Sequence, residues 1–516
     1  MTFRTPATLS RYLIPTAVSV MTALLVTACA SVPMRPNAIP DVEREFRGVW
    51  VAAVNNIDWP SRRDLSSEEQ QRELVAILDR AAALNFNAVI LQIRPAADAL
   101  YASDLEPWSE YLTGEMGKPP EPFYDPLSFA VTEAHARGLE LHAWLNPYRA
   151  HHPTGTSPIA ETHLSRTRPE LVRQYGKYLW FDPGAEEVRR HAVSVVTDVV
   201  RRYDIDGVHL DDYFYPYPEQ GADGVEIEFP DEPSWSSYRS GGGALDRSAW
   251  RRENVNSLVR ELYEAIKLEK RWVKFGVSPF GIWRPGYPEQ IRGLDAFDNL
   301  YADSRLWLQK GWVDYLAPQL YWPIAQKAQS YPVLLRWWLE QNSSGRHVWA
   351  GIIPSRIAGR GGSSTKKSVS ANEIIDQIRM TRELEGGGVI HFSMKSLMQN
   401  RDEIADKLLQ TVYARPALVP ASPWLGAVAP SAPLVSARIT DDGVVLDFAP
   451  QGDTSVWLWA VRKKVKSKWS LELVPGSLRS WKISGSTRSD SRPVDVAVSA
   501  VNRLGGESPV TRIVKP

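Results

Sequence analysis

The sequence predicts an α/β chain: a (β/α)8 TIM-like barrel followed by a small all-β sandwich. Three observations carry this. Apolar strand-like runs alternate with amphipathic helical stretches eight times within 46–414, the pattern of a closed parallel barrel. A Pro- and Ala-rich stretch, expected to be a linker, follows at 415–433. Over 434–516, short alternating segments separated by turns replace the helices.

The eight barrel strands are expected at 48–53, 87–94, 140–146, 207–211, 274–278, 315–321, 347–353 and 388–393. Good helix formers lie between them at 68–84, 185–203, 250–270 and 372–384. Ser66 or Ser67 can cap the first of these helices, with Glu68 and Glu69 in its first turn. In the C-terminal part, strands are expected at 434–439, 444–448, 456–462, 469–474 and 494–502. The stretch 496–509 resembles the last hairpin of fibronectin type III domains.

Composition narrows the classes. The chain has 516 residues, 43% hydrophobic and 23% charged, which suits a large core and excludes a disordered or fibrous chain. Lys plus Arg and Asp plus Glu are 60 each, so no nucleic-acid partner is expected. The charge is uneven: 415–516 carries 14 basic and 8 acidic residues, and 29–414 carries 44 basic and 52 acidic. The single cysteine, Cys29, excludes an intramolecular disulfide and a cysteine metal cage.

Arg4 and Arg11 precede an apolar run over 13–26 that is too short for a comfortable bilayer span and reads as an export signal. It ends in Val26-Thr-Ala-Cys29, which resembles a bacterial lipobox. The expectation is a signal peptide at 1–28, lipidation of Cys29 and a tether over 29–45. Ala30 and Ser31 resemble outer-membrane sorting residues. The protein is therefore expected to be lipid-anchored in the envelope, at the outer membrane facing the periplasm. The competing reading is a cleaved signal with Cys29 incidental.

Barrels of this kind carry their site at the C-terminal strand ends. Here those ends hold Asn55, Asp58 and Trp59 after strand one, and Arg94 and Asp98 after strand two. Asn146 and Tyr148 follow strand three, and Gln319, Tyr321 and Trp322 close strand six, with Asp303 on a loop. Aromatic rings match the C–H faces of sugars, and carboxylates and amides bind sugar hydroxyls. The set is read as a carbohydrate-binding surface, with core packing the alternative for any single Trp.

The sharpest motif spans 203–213. Period two points His209 and Asp211 into the barrel, with Asp211 at the mouth and Asp212 opening the loop. The motif resembles the strand-four signature of α-amylase-like retaining glycosidases, Asp-Gly-x-Arg-x-Asp, with His209 in place of the Arg. Asp211 and Asp212 are the candidate catalytic residues, since closely placed acids push their pKa values apart. The alternative is that Asp212 caps a turn and Asp211 binds a hydroxyl. A second carboxyl group is sought among Asp58, Asp98, Glu106, Glu110 and Asp303, the last of which also reads as a helix N-cap.

The segments Arg47-Gly-Val-Trp-Val, Asn56-Ile-Asp-Trp-Pro60, Arg94-Pro-x-x-Asp98-Ala-x-Tyr101, Glu106-Pro-Trp-Ser109, Trp144-Leu-Asn-Pro-Tyr-Arg149, Asp206-Gly-Val-x-x-Asp-Asp212-Tyr213, Asp303-Ser304 and Pro318-Gln-x-Tyr-Trp322 resemble the glycosyl-hydrolase-like family 10 of bacterial lipoproteins. That resemblance implies a TIM-like glycosidase acting on peptidoglycan glycan strands, with no cofactor. The other readings are a non-catalytic glycan-binding lipoprotein and a metal-dependent barrel hydrolase using lumen-facing His142, His209 and His391. For these histidines, hydrogen bonding within the lumen is the preferred expectation. Lys463, Lys464, Lys466 and Lys468 are expected on a solvated hairpin. With Trp457, Trp469 or Trp481 exposed nearby, the basic region is a candidate for holding anionic glycan, the preferred alternative being a sandwich that only spaces or stabilises the barrel.

Overall fold

A computed structural model describes residues 38–359, 368–426, 428–441, 443–452, 455–484 and 493–514. The expected signal segment and Cys29 lie outside the described residues.

Eight parallel strands form the barrel: Phe46–Val51, Ala88–Arg94, Glu140–Leu145, Gly207–Leu210, Lys274–Val277, Tyr315–Leu316, a seventh in two pieces (His347–Val348 and Ala350–Ile352), and Gly388–His391. The break at Trp349 closes the sheet. The first piece pairs with strand six and the second with strand eight. Gln319 bridges to Phe280 on one side and to Gly351 on the other. These strands are buried on both faces, so they read as continuous apolar runs rather than alternating ones.

The surrounding helices begin where side chains satisfy their free amides. Ser66 and Glu69 form a capping box for Ser67–Ala83. Asp246 caps Arg247–Glu269, and Ser370 caps Ala371–Glu383. Glu186–Arg202 buries Val188, Ala192, Val195, Val196 and Val199, one helical stripe against the sheet. A small antiparallel sheet of Arg149–His151, Val172–Tyr175 and Tyr178–Phe181 lies between strand three and that helix. Its strands, three or four residues each, are too short to stand out from a loop in sequence.

The lumen is filled by Phe46, Trp50, Ile90, Trp144, Tyr315, Trp349 and Ile390, with Phe46 and Trp349 stacked at 3.6 Å. A Cβ at Gly276 would come within 1.9 Å of the Tyr315 ring, and one at Gly207 within 2.6 Å of His142. Those two glycines make room for a polar chain through the centre. The Trp50 indole donates to His209 Nε2 (3.1 Å), which leaves the ring proton on Nδ1, 2.9 Å from the Tyr315 hydroxyl. The same hydroxyl meets His142 Nδ1 at 2.9 Å. His142 Nε2 faces Glu140 at 3.0 Å, and Lys274 pairs with Glu140 at 2.8 Å. Burial, reinforced by His142, keeps His209 well below its usual pKa and therefore neutral. His391 differs from expectation. Its neighbour Ile390 takes the lumen position, and His391 turns outward to Phe86 and the Tyr413 hydroxyl (2.9 Å).

Two antiparallel sheets follow the barrel. One joins Leu434–Thr440, Gly443–Ala449 and Ser480–Ser484, and the other joins Lys468–Pro475, Leu458–Val465, Pro493–Val501 and Thr511–Val514. Leu446, Phe448, Trp459, Val461, Val496 and Val498 fill the space between them, as in a β-sandwich. Ser480–Ser484 and Thr511–Val514 are additional to the expected strands, being short and largely polar.

The stretch read as a linker is packed chain over much of its length. Leu418 exchanges backbone hydrogen bonds with Glu43 and Glu45, and joins Val42, Leu458, Ala460 and Val501 in one buried cluster. Ser422 lies 3.1 Å from His347, and the Trp424 indole donates to Asp314 (2.8 Å). The end of the expected tether, from Val42 onward, belongs to this packing too. Trp457, expected to be exposed, sits edge-on to His135 at 4.8 Å and beneath Arg503. Trp469 and Trp481 are half-buried, and Lys463 is paired with Glu472. Lys466 and Lys468 are exposed.

Arg503 locks the sandwich to the root of strand four. It donates to Asp206 (2.8 Å) and Asp204 (2.5 Å). Burial alone would raise the Asp206 carboxyl, yet His135, Arg503 and the Leu141 amide hold it below the usual range. Arg503→Ala leaves the buried Asp206 carboxylate with only His135 and the Leu141 amide as partners. It is expected to cost about 1–3 kcal/mol, less than a fully buried pair because the guanidinium is partly solvated. A lowered denaturation midpoint of the full chain checks this.

Candidate active site

A cavity of about 460 Å³ opens at the C-terminal strand ends. It takes in five of the expected residues: Asp211, Asp212, Asn55, Gln319 and Tyr321. Both aspartates are nearly desolvated, with 4% and 6% of their surface exposed.

Strand four ends at Leu210, so Asp211 continues its inward row and Asp212 starts the loop. Asp211 is held by three side-chain hydrogen bonds. The Trp144 indole donates to Oδ2 at 3.2 Å, and Asn146 Nδ2 donates to both oxygens at 3.0 and 3.1 Å. Asn146 is itself oriented, because the amides of Tyr148 (3.3 Å) and Arg149 (2.8 Å) donate to its Oδ1. Burial raises the Asp211 pKa, opposed by the Arg149 charge and the bonds from Asn146 and Trp144. Asp212 accepts from the Tyr217 hydroxyl. Burial, then the Asp211 charge, pushes its carboxyl up to about 6. The neighbouring acids therefore differ in character: one is gripped by N–H donors, and the other is poised to carry a proton.

Sequence reasoning passed over Gln92, Tyr217, Phe280, Phe392 and His152, all of which line the cavity. Trp50, Trp144, Arg149 and Tyr213 also line it, and stood in the quoted motifs without being singled out as site residues. Gln92 is distinctive. Its Oε1 accepts the amides of Ala53 (3.0 Å) and Val54 (2.9 Å), while its buried Nε2 has no partner among the described residues. A ligand hydroxyl or carbonyl would satisfy it.

The other expected binding residues build the walls instead. Asp58 accepts from the Ala52 amide (2.9 Å), Ser393 (2.8 Å) and the Lys395 amide (2.7 Å), tying strand one to strand eight. The Trp59 indole donates to the Gln70 carbonyl at 2.9 Å. Arg94 makes a two-pronged pair with Glu106 (2.7 and 2.5 Å) and donates to the Asn146 carbonyl. Asp98 accepts from the Ala96 amide at 2.8 Å, and Tyr148 lies wholly in the core. Asp303 caps the helix Ser304–Lys310 and accepts from the Trp283 indole at 3.0 Å. Trp322 stands edge-on to Phe280, outside the lining.

Among the described residues, no group of three or more His, Cys, Asp and Glu is placed to hold a metal ion. His142 and His209 are engaged in the lumen chain, and His391 points away from it.

Fold and cavity together define a parallel barrel with an acid-bearing, aromatic-walled pocket at its mouth. Residues 45–360 match the glycosyl hydrolase-like 10 family, and the chain belongs to that family. It is 43% identical over 425 residues to glycosyl hydrolase YngK of Bacillus subtilis (strain 168), covering 81% of this chain and 80% of that protein. It is 33% identical over 408 residues to glycosyl hydrolase DigH of Escherichia coli (strain K12), covering 71% and 91%. Among solved structures it is similar to the PgaB (BpsB) glycoside hydrolase domain from Bordetella bronchiseptica, with a TM-score of 0.47 and 16% identity over 71% of this chain and 98% of that one.

Proposed function

We propose that this chain is an envelope lipoprotein that hydrolyses glycosidic bonds in peptidoglycan glycan strands, acting best once the stem peptides are removed. The observation that carries the hydrolase reading is the Asp211–Asp212 pair, differently held at the aromatic-walled mouth of the barrel. Asp212 gives its proton to the departing glycosidic oxygen, and the Asp211 charge faces the positive character that develops at the sugar ring. The wall substrate is supported by the motifs shared with family 10 lipoproteins and by the export signal. Purified sacculi and amidase-stripped strands, compared by mass spectrometry of released products, test it. Soluble oligosaccharides are expected chiefly from the stripped strands, and no products from either sample would refute the reading. A non-catalytic glycan-binding role is favoured by one observation: no third carboxyl group lines the cavity among the described residues.

The acid must be protonated to act. With Asp212 at about 6, kcat/KM is expected to fall about tenfold per pH unit above that value. Burial also raises Asp58 and Asp98 to about 6. The limb belongs to Asp212 if the residual activity of Asp212→Asn on an activated aryl glycoside lacks it.

The lipid anchor is proposed at Cys29. Cells fed radiolabelled palmitate are expected to label the full chain but not Cys29→Ser. Normal labelling of that variant would contradict the anchor.

A further inference from the structure

We infer that the nucleophile is the substrate's own 2-acetamido oxygen, with Asp211 holding and polarising that group while Asp212 protonates the leaving oxygen. This rests on the glycosidase reading above and deepens it, because it restricts the sugar whose anomeric bond breaks to a 2-acetamido-2-deoxy sugar.

Glycosidases that use two protein carboxyl groups place them on either side of the scissile bond, about 5–5.5 Å apart for retention and about 6.5–9.5 Å for inversion. Here the two lining carboxyl groups are consecutive residues at one strand end. The five loop acids weighed from the sequence, Asp58, Asp98, Glu106, Glu110 and Asp303, all lie outside the cavity lining. Asp58, Asp98 and Asp303 bind backbone amides, and Glu106 is paired with Arg94 and His191. Glu110 is paired with Arg63 and accepts the Thr156 and Ser157 amides. The sequence of 360–367, Arg-Gly-Gly-Ser-Ser-Thr-Lys-Lys, contains no Asp or Glu. No carboxyl group besides Asp211 and Asp212 lines the cavity among the described residues, so the missing role is assigned to the substrate.

Asp211 suits the helper's task. Trp144 and Asn146 pin its oxygens from known directions, leaving a fixed acceptor for an acetamide N–H. The Trp144 ring lines the same cavity and offers an apolar face for the acetamide methyl. The unpaired Gln92 Nε2 supplies a further donor to the sugar.

In the first step the acetamido oxygen bonds to C1, the C1–O glycosidic bond breaks, and the leaving oxygen takes the Asp212 proton. The resulting oxazolinium keeps its N–H on Asp211. Water then attacks C1 and gives a proton to Asp212, and the C1–O bond to the acetamido oxygen breaks. The amide is regenerated, and two inversions retain the anomeric configuration.

The full chain should be assayed on amidase-stripped strands bearing N-acetyl or N-trifluoroacetyl groups, with anomeric configuration read by NMR and with a thiazoline analogue of N-acetylglucosamine as inhibitor. The fluorinated strands are expected to lose at least about 100-fold in kcat, the scale of a lost catalytic group. Retention of configuration and competitive inhibition by the thiazoline are expected alongside. Equal rates on both strands, an inverted product or a covalent glycosyl–Asp211 adduct would overturn this inference and leave the glycosidase reading standing. No cleavage of any strand by the wild-type chain would overturn both.

Discussion

Asp211→Asn is expected to bring turnover close to nothing, a loss on the order of 10²–10⁴-fold in kcat, while the chain stays folded and keeps its glycan affinity. The amide preserves the shape of the carboxylate but removes the charge that an oxocarbenium-like transition state needs. It also sets an N–H against donors already in place, since both Asp211 oxygens accept from Asn146 and one also accepts from Trp144. The stability effects oppose one another. A donor-to-donor contact is unfavourable, yet a buried charge has been removed. Steady-state rates, equilibrium binding of stripped strands and a melting curve separate these effects. A variant keeping most of its rate would show that Asp211 only fills space.

Asp212→Asn is expected to show a loss of the same order on natural strands and a much smaller one on aryl glycosides with acidic phenols. A departing sugar alkoxide needs a proton, whereas an acidic phenolate leaves without one. The Tyr217 hydroxyl now donating to Asp212 can donate to the asparagine carbonyl, so the loop has no reason to rearrange. Equal losses on both substrate types would assign Asp212 to binding rather than proton transfer.

The barrel was legible because each strand is an apolar run buried on both faces, and the helices between carry clear caps and stripes. What the pattern could not show was the break at Trp349, where the side chain joins the lumen core and strand seven divides between its two neighbours. The packed course of the 415–433 stretch was equally hidden, since Pro- and Ala-rich composition says nothing of the partners it meets. At the site, period two worked where the ladder continues, and so it found Asp211. It fails past the last paired residue. Asp58, Trp59 and Asp98 lie in loops whose backbone turns them into the walls, where they bind amides and carbonyls. Trp50 and Gln92 were reachable by the same rule, counted from lumen-facing Phe46 and Ile90 along their strands. Tyr217 and Phe280 come from loops and carry no such signal.

The most direct test of the central claim is to digest amidase-stripped glycan strands in water enriched in oxygen-18 and weigh the products. The wild-type chain is predicted to yield shorter strands with one heavy oxygen at each new reducing end, and Asp212→Asn to yield almost none. Uncut strands with the wild-type chain, or the same products at the same rate from the variant, would contradict the assignment of this cavity as a glycosidase site.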